Sequence, residues 1–198
     1  FDGAHYHMPL TREHGGSGLG KALKIINRPL RERIPIAIAA LGPRSVRFAA
    51  AQAEAWLPAF YMAEGADAVW GEALRAGAAE RDPELPPLEV YAGGTVAIGE
   101  GKEDLRNMAR PGAALYVGGM GAKEKNFYNQ IFRKYGYEAE AERIQDLYLS
   151  GRKSEAEAAI PEDYLEKTSL CGPAGFVKER IAALVESGVT ALNVSFAA

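Results

Sequence analysis

The chain has 198 residues, of which 47% are hydrophobic and 25% are charged, and this composition predicts one globular domain over residues 1–198. Its 23 basic and 26 acidic residues give a net charge of −3 and are scattered along the chain, which argues against a nucleic-acid partner. The single cysteine, the lack of a signal peptide and the lack of a long apolar span favour a cytoplasmic protein without a membrane partner.

The first 33 residues carry only weak secondary-structure patterns. Residues 1–10 alternate as in a short strand, residues 11–20 form a glycine-rich loop, and residues 21–33 are a basic connection. His5 and His7 would share one strand face, which is the minimum geometry for two metal ligands. A metal site normally needs further ligands, so we interpret this segment as a surface hairpin and expect no metal site.

Strand and helix patterns alternate from residue 34 onward. The run 34–40 is apolar without strict alternation and predicts a parallel strand buried on both faces, with Pro35 at its start. A helix that begins at Pro43 and ends near residue 53, followed by a strand over 55–58, has the spacing of a β-α-β unit.

The later elements continue this alternation. In chain order they are a helix over 65–80, a strand over 88–99 interrupted at Gly93-Gly94, a helix from Lys102 that breaks at Arg110-Pro111, a helical segment around Phe127 to Tyr135, helices over 138–149 and 153–160, a polar turn from Pro161, a helix opened by Gly172-Pro173, and a strand over 189–196. The pattern predicts an α/β fold with parallel strands, either a barrel or a doubly wound sheet.

The clearest candidate site is the junction at Gly42-Pro43. The first N–H groups of a helix have no internal partner and carry the positive end of the helix dipole, so they bind phosphate well. Arg44 and Ser45 add a guanidinium and a hydroxyl. These residues support phosphate binding and a plain strand-to-helix turn about equally, and no Gly-x-Gly-x-x-Gly fingerprint accompanies the strand.

Two other glycine-rich segments are weaker candidates. Gly172-Pro173 is a second Gly-Pro helix start, but no strand is predicted directly before it, so we interpret it as a helix cap. The segment 118–123 lacks the spacing of a nucleotide phosphate loop, and either forms a mobile site edge or precedes a helix whose Phe127 and Tyr128 pack in the core, the interpretation we favour. No Ser-His-Asp order or nucleophile elbow supports hydrolytic chemistry.

Several stretches in order carry a family resemblance. They are Phe1-Asp2-Gly3-Ala4-His5-Tyr6, Ile36-Ala37-Ile38-Ala39-Ala40-Leu41-Gly42-Pro43, Ala53-Glu54-Ala55-Trp56-Leu57-Pro58, Ala92-Gly93-Gly94, Tyr116-Val117-Gly118-Gly119-Met120-Gly121-Ala122-Lys123, Ile144-Gln145-Asp146-Leu147-Tyr148 and the closing Gly-Pro helix with its strand. This set resembles the luciferase-like oxidoreductases that use a flavin or the deazaflavin coenzyme F420. The resemblance covers nearly the whole chain.

The resemblance implies a (β/α)8 TIM barrel that binds its cofactor at the carboxyl ends of the strands. The segments 34–40, 55–58, 88–99 and 190–196 are similar to strands five to eight, so this chain is expected to supply the C-terminal half of the barrel. The groups that face the reactive ring would lie in the other half, and no catalytic residue is assigned here. Glu54 stands where relatives commonly carry aspartate, which leaves the cofactor preference open.

The implied activity is hydride transfer between coenzyme F420 and a small organic substrate by a homodimer. The residues implied to line the phosphate-bearing tail are Ala39, Ala40, Leu41, Gly42, Pro43, Arg44 and Ser45, and those on the substrate side are Trp56, Tyr116, Met120 and Tyr128. One alternative is an FMN-dependent monooxygenase on the same fold. Another is a half-barrel without catalytic activity that binds ligands or serves as a scaffold.

Overall fold

The computed structural model describes residues 1–21, 26–31 and 33–197. The chain divides into two compact units, residues 1–34 and residues 35–198. Within the described part, no helix is both long and apolar enough to cross a membrane. No cluster of three or more metal-ligating side chains occurs in that part either.

The described residues of the first unit form turns and a short 3₁₀ segment, Arg12–His14. Gly3 N–H donates to the Tyr6 carbonyl over 2.9 Å and Met8 N–H to the Phe1 carbonyl over 2.8 Å, so the chain reverses within a few residues. Asp2 and His7 form an isolated antiparallel bridge and also an ion pair. This reversal excludes one extended strand over 1–10 and agrees with the interpretation of the segment as a surface hairpin. Part of the predicted connection, residues 22–25 and 32, lies outside the described residues.

The second unit contains the strands and nearly all of the helices. The strands are β1 (Ala37–Ala39), β2 (Ala55–Leu57), β3 (Glu89–Ala92), β4 (Thr95–Ile98), β5 (Leu170–Gly172), β6 (Ala191–Leu192) and β7 (Ser195–Phe196). The α-helices are α1 (Pro43–Gln52), α2 (Glu72–Ala79), α3 (Arg110–Ala114), α4 (Phe127–Lys134), α5 (Glu138–Leu149), α6 (Lys153–Ala158), α7 (Glu162–Lys167) and α8 (Ala174–Glu186). All pairings between these seven strands are parallel, in the orders β1-β2-β3-β6 and β5-β4-β7. The predicted parallel α/β fold is confirmed.

The β1-α1-β2 unit forms as its spacing predicts. Pro43 lies in the first turn of α1, where its missing N–H costs nothing. Val46 and Ala49 are fully buried on the inner face of the helix. Across the sheet, the register places Ile38, Trp56 and Val90 side by side on the face that packs against the helical core. Local pattern and tertiary packing agree here.

Strand β1 is not buried on both faces as predicted. Ile38 packs on the core, but Ala37 and Ala39 are exposed and Ile36 is 56% exposed. Successive side chains of a strand point to opposite faces, so only one of the two faces of β1 is covered. Within the described residues β1 pairs only with β2, which also leaves one strand edge unpaired.

The break at Gly93-Gly94 is confirmed and has a steric cause. A Cβ on Gly93 would lie 2.4 Å from the Asn193 carbonyl oxygen, and a Cβ on Gly94 would lie 2.3 Å from that of Thr168. Backbones approach too closely at both positions for any side chain. The chain therefore leaves one sheet at β3 and enters the other at β4.

The helix break predicted at Arg110-Pro111 does not occur, and a helix follows Pro161 where a polar turn was predicted. A 3₁₀ segment, Glu103–Ala109, runs directly into α3, and Pro111 occupies the first turn of that helix. Pro161 likewise precedes α7 as its N-cap residue instead of opening a polar turn. Proline is tolerated at these positions because the first helical N–H groups have no internal acceptor.

Candidate functional site

The junction between β1 and α1 presents free backbone amides at the carboxyl edge of the sheet. Gly42 is the N-cap residue in an extended conformation, with φ of −73° and ψ of 149°, and no side chain caps the helix. The first intrahelical hydrogen bond runs from Val46 N–H to the Gly42 carbonyl over 3.0 Å. Pro43 has no N–H, so the N–H groups of Arg44 and Ser45 are the ones without an acceptor inside the helix.

Two indole N–H groups donate hydrogen bonds to carbonyls of the loop that leads into α1. Trp56 Nε1 donates to the Ala40 carbonyl over 2.9 Å, and Trp70 Nε1 donates to the Leu41 carbonyl over 3.0 Å. The two rings meet edge to face with centroids 5.3 Å apart. The carbonyls of the loop are therefore satisfied inside the core, and this fixes the position of the amides that follow.

The seven residues predicted to line a cofactor tail divide by exposure. Pro43, Arg44 and Ser45 are exposed, and Leu41 and Gly42 are half-buried. Ala39 is exposed on strand β1, whereas Ala40 is buried. The part of the junction that a ligand can reach is therefore the first turn of α1.

One aromatic side chain lies beside this junction, and three others form a group near it in the sequence or after the next strand. A Cβ on Gly42 would lie 3.9 Å from Cε1 of Phe127, which is itself 58% exposed. Tyr116 and Tyr128 meet edge to face with centroids 4.7 Å apart, and Phe60 lies 5.5 Å and 5.2 Å from them. The structure thus brings together two of the predicted substrate-side residues. The favoured interpretation of Phe127 as a core residue is wrong.

The other two predicted substrate-side residues are placed differently. Trp56 is 0% exposed and packs against Tyr61 and Trp70, so the interpretation of Trp56 as a substrate contact does not fit this structure. Its ring is part of the core because the sheet register turns it towards the helices. Met120 follows the π-helical segment Leu115–Gly119 and is 41% exposed.

Phe60 is a residue of this site that sequence analysis missed. It has φ of +59°, and it is the only non-glycine residue in the described part with a positive φ. This left-handed conformation is strained for a bulky residue and recurs at functional sites. Tyr135 Oη donates to the Phe60 carbonyl over 2.8 Å. Its position shortly after β2, at the carboxyl edge where parallel sheets bind ligands, was the available signal.

The hydroxyl that holds Phe60 stays protonated. Burial raises the pKa of Tyr135 well above its ordinary value. The same hydroxyl accepts the Met62 N–H over 3.2 Å while it donates to Phe60. One neutral tyrosine therefore fixes the backbone on both sides of the turn after β2.

Asn126 is a buried positioning residue for the aromatic group. Its side-chain NH₂ donates to the carbonyls of Tyr116 and Val117 over 2.8 Å and 3.0 Å. Its Oδ1 accepts the N–H groups of Tyr128 and Asn129, which caps α4. One side chain thus links the segment that carries Tyr116 to the helix that carries Tyr128.

We expect Asn126→Ala to lower the free energy of unfolding by roughly 2–3 kcal/mol, because it removes a helix cap and leaves buried backbone carbonyls unpaired. Urea denaturation measures the change. Asn193→Ala is the matched control, because Asn193 is exposed and should change stability by less than about 0.5 kcal/mol. Equal effects of the two substitutions would contradict the positioning role.

The glycines at 118 and 119 serve helix packing. A Cβ on Gly118 would lie 2.5 Å from Cβ of Tyr148, and one on Gly119 would lie 2.4 Å from its ring. The π-helical segment therefore packs directly on α5. These glycines permit close approach of two helices, which agrees with the absence of a nucleotide-loop spacing.

Glu54 lies at the opposite edge of the sheet. Its Oε2 accepts the Ile36 N–H over 2.8 Å, next to the amino ends of β1 and β2. The candidate site is at the carboxyl ends of the same strands. Glu54, which stands where aspartate was expected, therefore lies at the amino ends of the strands and does not contact the β1–α1 junction.

A strand does precede Gly172-Pro173, contrary to prediction. Strand β5 runs directly into α8, so this is a second strand-to-helix junction of the same kind as Gly42-Pro43. Arg106 Nε donates to the Cys171 carbonyl over 3.0 Å, and its guanidinium lies 4.3 Å from the centroid of the Phe176 ring. Strand β5 has only three residues, so it is too short to be predicted from the periodicity of its sequence.

Residues 8–191 match the family model described as luciferase-like monooxygenase. A protein of Mycobacterium tuberculosis (strain ATCC 25618 / H37Rv), named "Putative coenzyme F420-dependent oxidoreductase Rv3520c", is 38% identical over 197 residues. That alignment covers 98% of this chain and 56% of the relative, so the chain spans about half the length of the curated relative it matches. The chain belongs to the luciferase-like monooxygenase family.

Solved structures show the same fold. The coenzyme F420-dependent tetrahydromethanopterin reductase from Methanopyrus kandleri matches with a TM-score of 0.61 at 23% identity, over 83% of this chain and 45% of that one. An F420-dependent secondary alcohol dehydrogenase, in complex with an F420-acetone adduct, matches with a TM-score of 0.55 at 12% identity, over 83% and 44%. The fold and family support an oxidoreductase.

Proposed function

We propose that this chain takes part in hydride transfer between coenzyme F420 and a small organic substrate, and that the β1–α1 junction holds the phosphate-bearing tail of the cofactor. The observation that carries the proposal is the pair of N–H groups on Arg44 and Ser45, which have no acceptor inside the helix. The F420-dependent relatives support the choice of cofactor.

The junction fits a phosphate group. Gly42 places no side chain over the helix start, and the nearest atom to a Cβ there would be Cε1 of Phe127 at 3.9 Å. The guanidinium of Arg44 and the hydroxyl of Ser45 are exposed beside the two amides and would add charge and a further donor. Coenzyme F420 supplies the hydride chemistry when bound.

The aromatic group of Phe60, Tyr116 and Tyr128 forms the substrate side of the proposed site. These rings exclude water from one wall, and the Asn126 hydrogen bonds keep two of them in place. We assign no catalytic acid or base within this chain. Its contribution in this proposal is to bind and orient.

In this proposal the strands belong to a (β/α)8 barrel, with β1 as strand five, β2 as strand six, β3 and β4 as the two parts of strand seven, and β6 and β7 as the two parts of strand eight. The parallel order of β1, β2, β3 and β6 supports the arrangement. The exposed face of β1 would then line the barrel interior. The functional unit is proposed to be a homodimer that acts on a small molecule.

An FMN-dependent monooxygenase is the second candidate, because the family model that the chain matches is described as luciferase-like monooxygenase. Titration of the purified protein with coenzyme F420 and with FMN, followed by absorbance and fluorescence, separates the two. We expect saturable binding of coenzyme F420 and weaker binding of FMN. Tight binding of FMN without binding of coenzyme F420 would overturn the preference.

A further inference from the structure

The turn that follows β2 holds a bulky residue in a strained backbone conformation. Phe60 has φ of +59°, and among the described residues no other non-glycine residue has a positive φ. A residue with a Cβ is disfavoured in this left-handed region, which asparagine and aspartate tolerate best. Strain of this kind persists only where the surrounding structure over-determines it, and it clusters at functional sites. The contacts of Phe60 therefore identify what maintains the strain.

The hydroxyl of Tyr135 holds both sides of this turn. Its Oη donates to the Phe60 carbonyl over 2.8 Å and accepts the Met62 N–H over 3.2 Å. Burial raises the pKa of Tyr135, so the hydroxyl keeps the proton that it donates. The ring of Tyr135 meets Trp70 edge to face at 6.4 Å, and a Cβ on Gly65 would lie 2.3 Å from its Cδ1. Tyr135 is therefore anchored independently of Phe60.

The conformation of Phe60 determines where its ring lies. The ring meets the buried Phe132 at a centroid distance of 6.4 Å. Tyr116 and Tyr128 lie beside it, inclined to it by 61° and 58°. Phe60 is only half-buried and lines a cavity of about 270 Å³, so a ligand can reach its ring. Relaxation of φ to an ordinary negative value would turn the Cα–Cβ bond and move the ring out of this arrangement.

The surface that Phe60 completes is fixed in advance and uncharged. Asn126, which is 1% exposed, joins the backbone of Tyr116 to that of Tyr128 by hydrogen bonds, and Tyr135 holds Phe60. A surface that is fixed before a ligand arrives loses little conformational entropy on binding. Aromatic rings in such a surface favour a flat aromatic body over a puckered aliphatic one of equal size.

From these features we infer that Phe60 is a specificity-determining residue for a flat, aromatic part of the substrate, and that Tyr135 is the positioning residue that keeps Phe60 in place. This inference rests on the proposed function, because it places the substrate at the aromatic group. Phe60 contacts the ligand in this arrangement, whereas Tyr135 acts only through Phe60. Loss of the Tyr135 hydroxyl should therefore change ligand selectivity as well as stability.

Acetophenone and cyclohexyl methyl ketone are suitable probes, because they carry the same methyl ketone and differ in whether the six-membered ring is flat. We expect calorimetric titration of the full chain to show acetophenone binding about fivefold more tightly, the value of one aromatic contact. Equal binding of the two ketones would overturn the assignment of an aromatic ligand, as would a lack of binding by either.

Phe60→Leu and Tyr135→Phe test the two roles. Phe60→Leu keeps an apolar side chain without a ring and should reduce the preference for acetophenone to about twofold or less. Tyr135→Phe removes only the hydroxyl and should reduce the preference to a similar extent, because the Phe60 ring is no longer held. A preference retained in either variant would overturn the role assigned to that residue.

Tyr137→Phe is the matched control for Tyr135→Phe. Tyr137 is buried in the cluster against which Tyr135 packs, and its hydroxyl donates to a carboxylate oxygen of Asp163 over 2.6 Å. Within the described residues its ring contacts are with Phe132 and Tyr164, not with the aromatic group. Both changes should lower the thermal midpoint, but only Tyr135→Phe should alter the preference between the ketones. An equal loss of preference in both variants would overturn the positioning role.

Phe60→Gly and Phe60→Ala test the strain itself. Both remove the ring, but glycine adopts a positive φ without a penalty and alanine does not. The urea midpoint of Phe60→Gly should therefore equal or exceed that of Phe60→Ala, whereas at a position with ordinary φ the glycine variant is the less stable one. A lower midpoint for Phe60→Gly would overturn the strained conformation on which the inference depends.

Titration with coenzyme F420 separates this inference from the proposed function. If the coenzyme binds and the full chain shows no preference for acetophenone, the role of Phe60 fails alone. If the preference and its loss in Phe60→Leu are observed and the coenzyme does not bind, the proposed function fails and the recognition of a flat ring stands.

Discussion

Gly42→Asp is expected to weaken the binding of coenzyme F420 by roughly 100-fold, or about 2.7 kcal/mol, without weakening the fold. The new carboxylate would stand at the N-cap position and accept the N–H groups of Arg44 and Ser45 that the phosphate needs. It would also repel the phosphate. Aspartate is a preferred N-cap residue, so the thermal stability should stay the same or rise.

The geometry at Gly42 makes this substitution a clean test. Its φ of −73° suits any residue, and the nearest contact of a Cβ would be Phe127 Cε1 at 3.9 Å. Gly42→Ala adds the same Cβ without charge and should change the affinity by less than about fivefold. Gly42→Asn caps the amides without charge and should fall between the two. Fluorescence titration and thermal denaturation measure both properties, and unchanged affinity in Gly42→Asp would rule out this junction as the phosphate site.

A second large effect is expected on protein stability, from the buried residue Trp56 that contacts the junction. Trp56→Ala is expected to lower the free energy of unfolding by roughly 3–5 kcal/mol, because it removes a fully buried ring and the donor to the Ala40 carbonyl. Urea denaturation measures the loss. A cost below about 1 kcal/mol would contradict the placement of Trp56 in the core.

Trp56→Phe and Trp70→Phe separate the ring from the hydrogen bond. Each keeps an aromatic ring and removes one indole N–H, from the Ala40 and the Leu41 carbonyl respectively. Each should cost roughly 1–3 kcal/mol, because a buried carbonyl is left unpaired. If the two indoles also fix the amides of the junction, both variants should weaken the binding of coenzyme F420.

The β1-α1-β2 unit was predictable because its signals are local. An apolar run, a Gly-Pro helix start and a second short apolar run follow one another at the spacing of a parallel crossover. The break at Gly93-Gly94 was predictable for the same reason, although the carbonyls that make glycine necessary there come from Thr168 and Asn193, far along the chain.

The errors arose where distant residues decide the outcome. A three-residue strand such as β5 has no period of its own and is defined by its pairing with β4. The direction of the Trp56 side chain depends on which face of the sheet the helices cover. The helix break expected at Pro111 and the polar turn expected from Pro161 were wrong because both prolines lie at helix starts, and a helix start depends on the packing around it.

The candidate site has one part that adjacent residues define and another part that distant residues define. Gly42, Pro43, Arg44 and Ser45 are consecutive, so the chain order alone identified a helix start suited to phosphate, and the family resemblance was visible in ordered stretches of the same kind. Phe60, Tyr116 and Tyr128 belong to separate segments, and only the tertiary structure places them together. Amide geometry at a helix start is set by adjacent residues, whereas an aromatic wall and a cavity are set by contacts between segments that sequence spacing does not reveal.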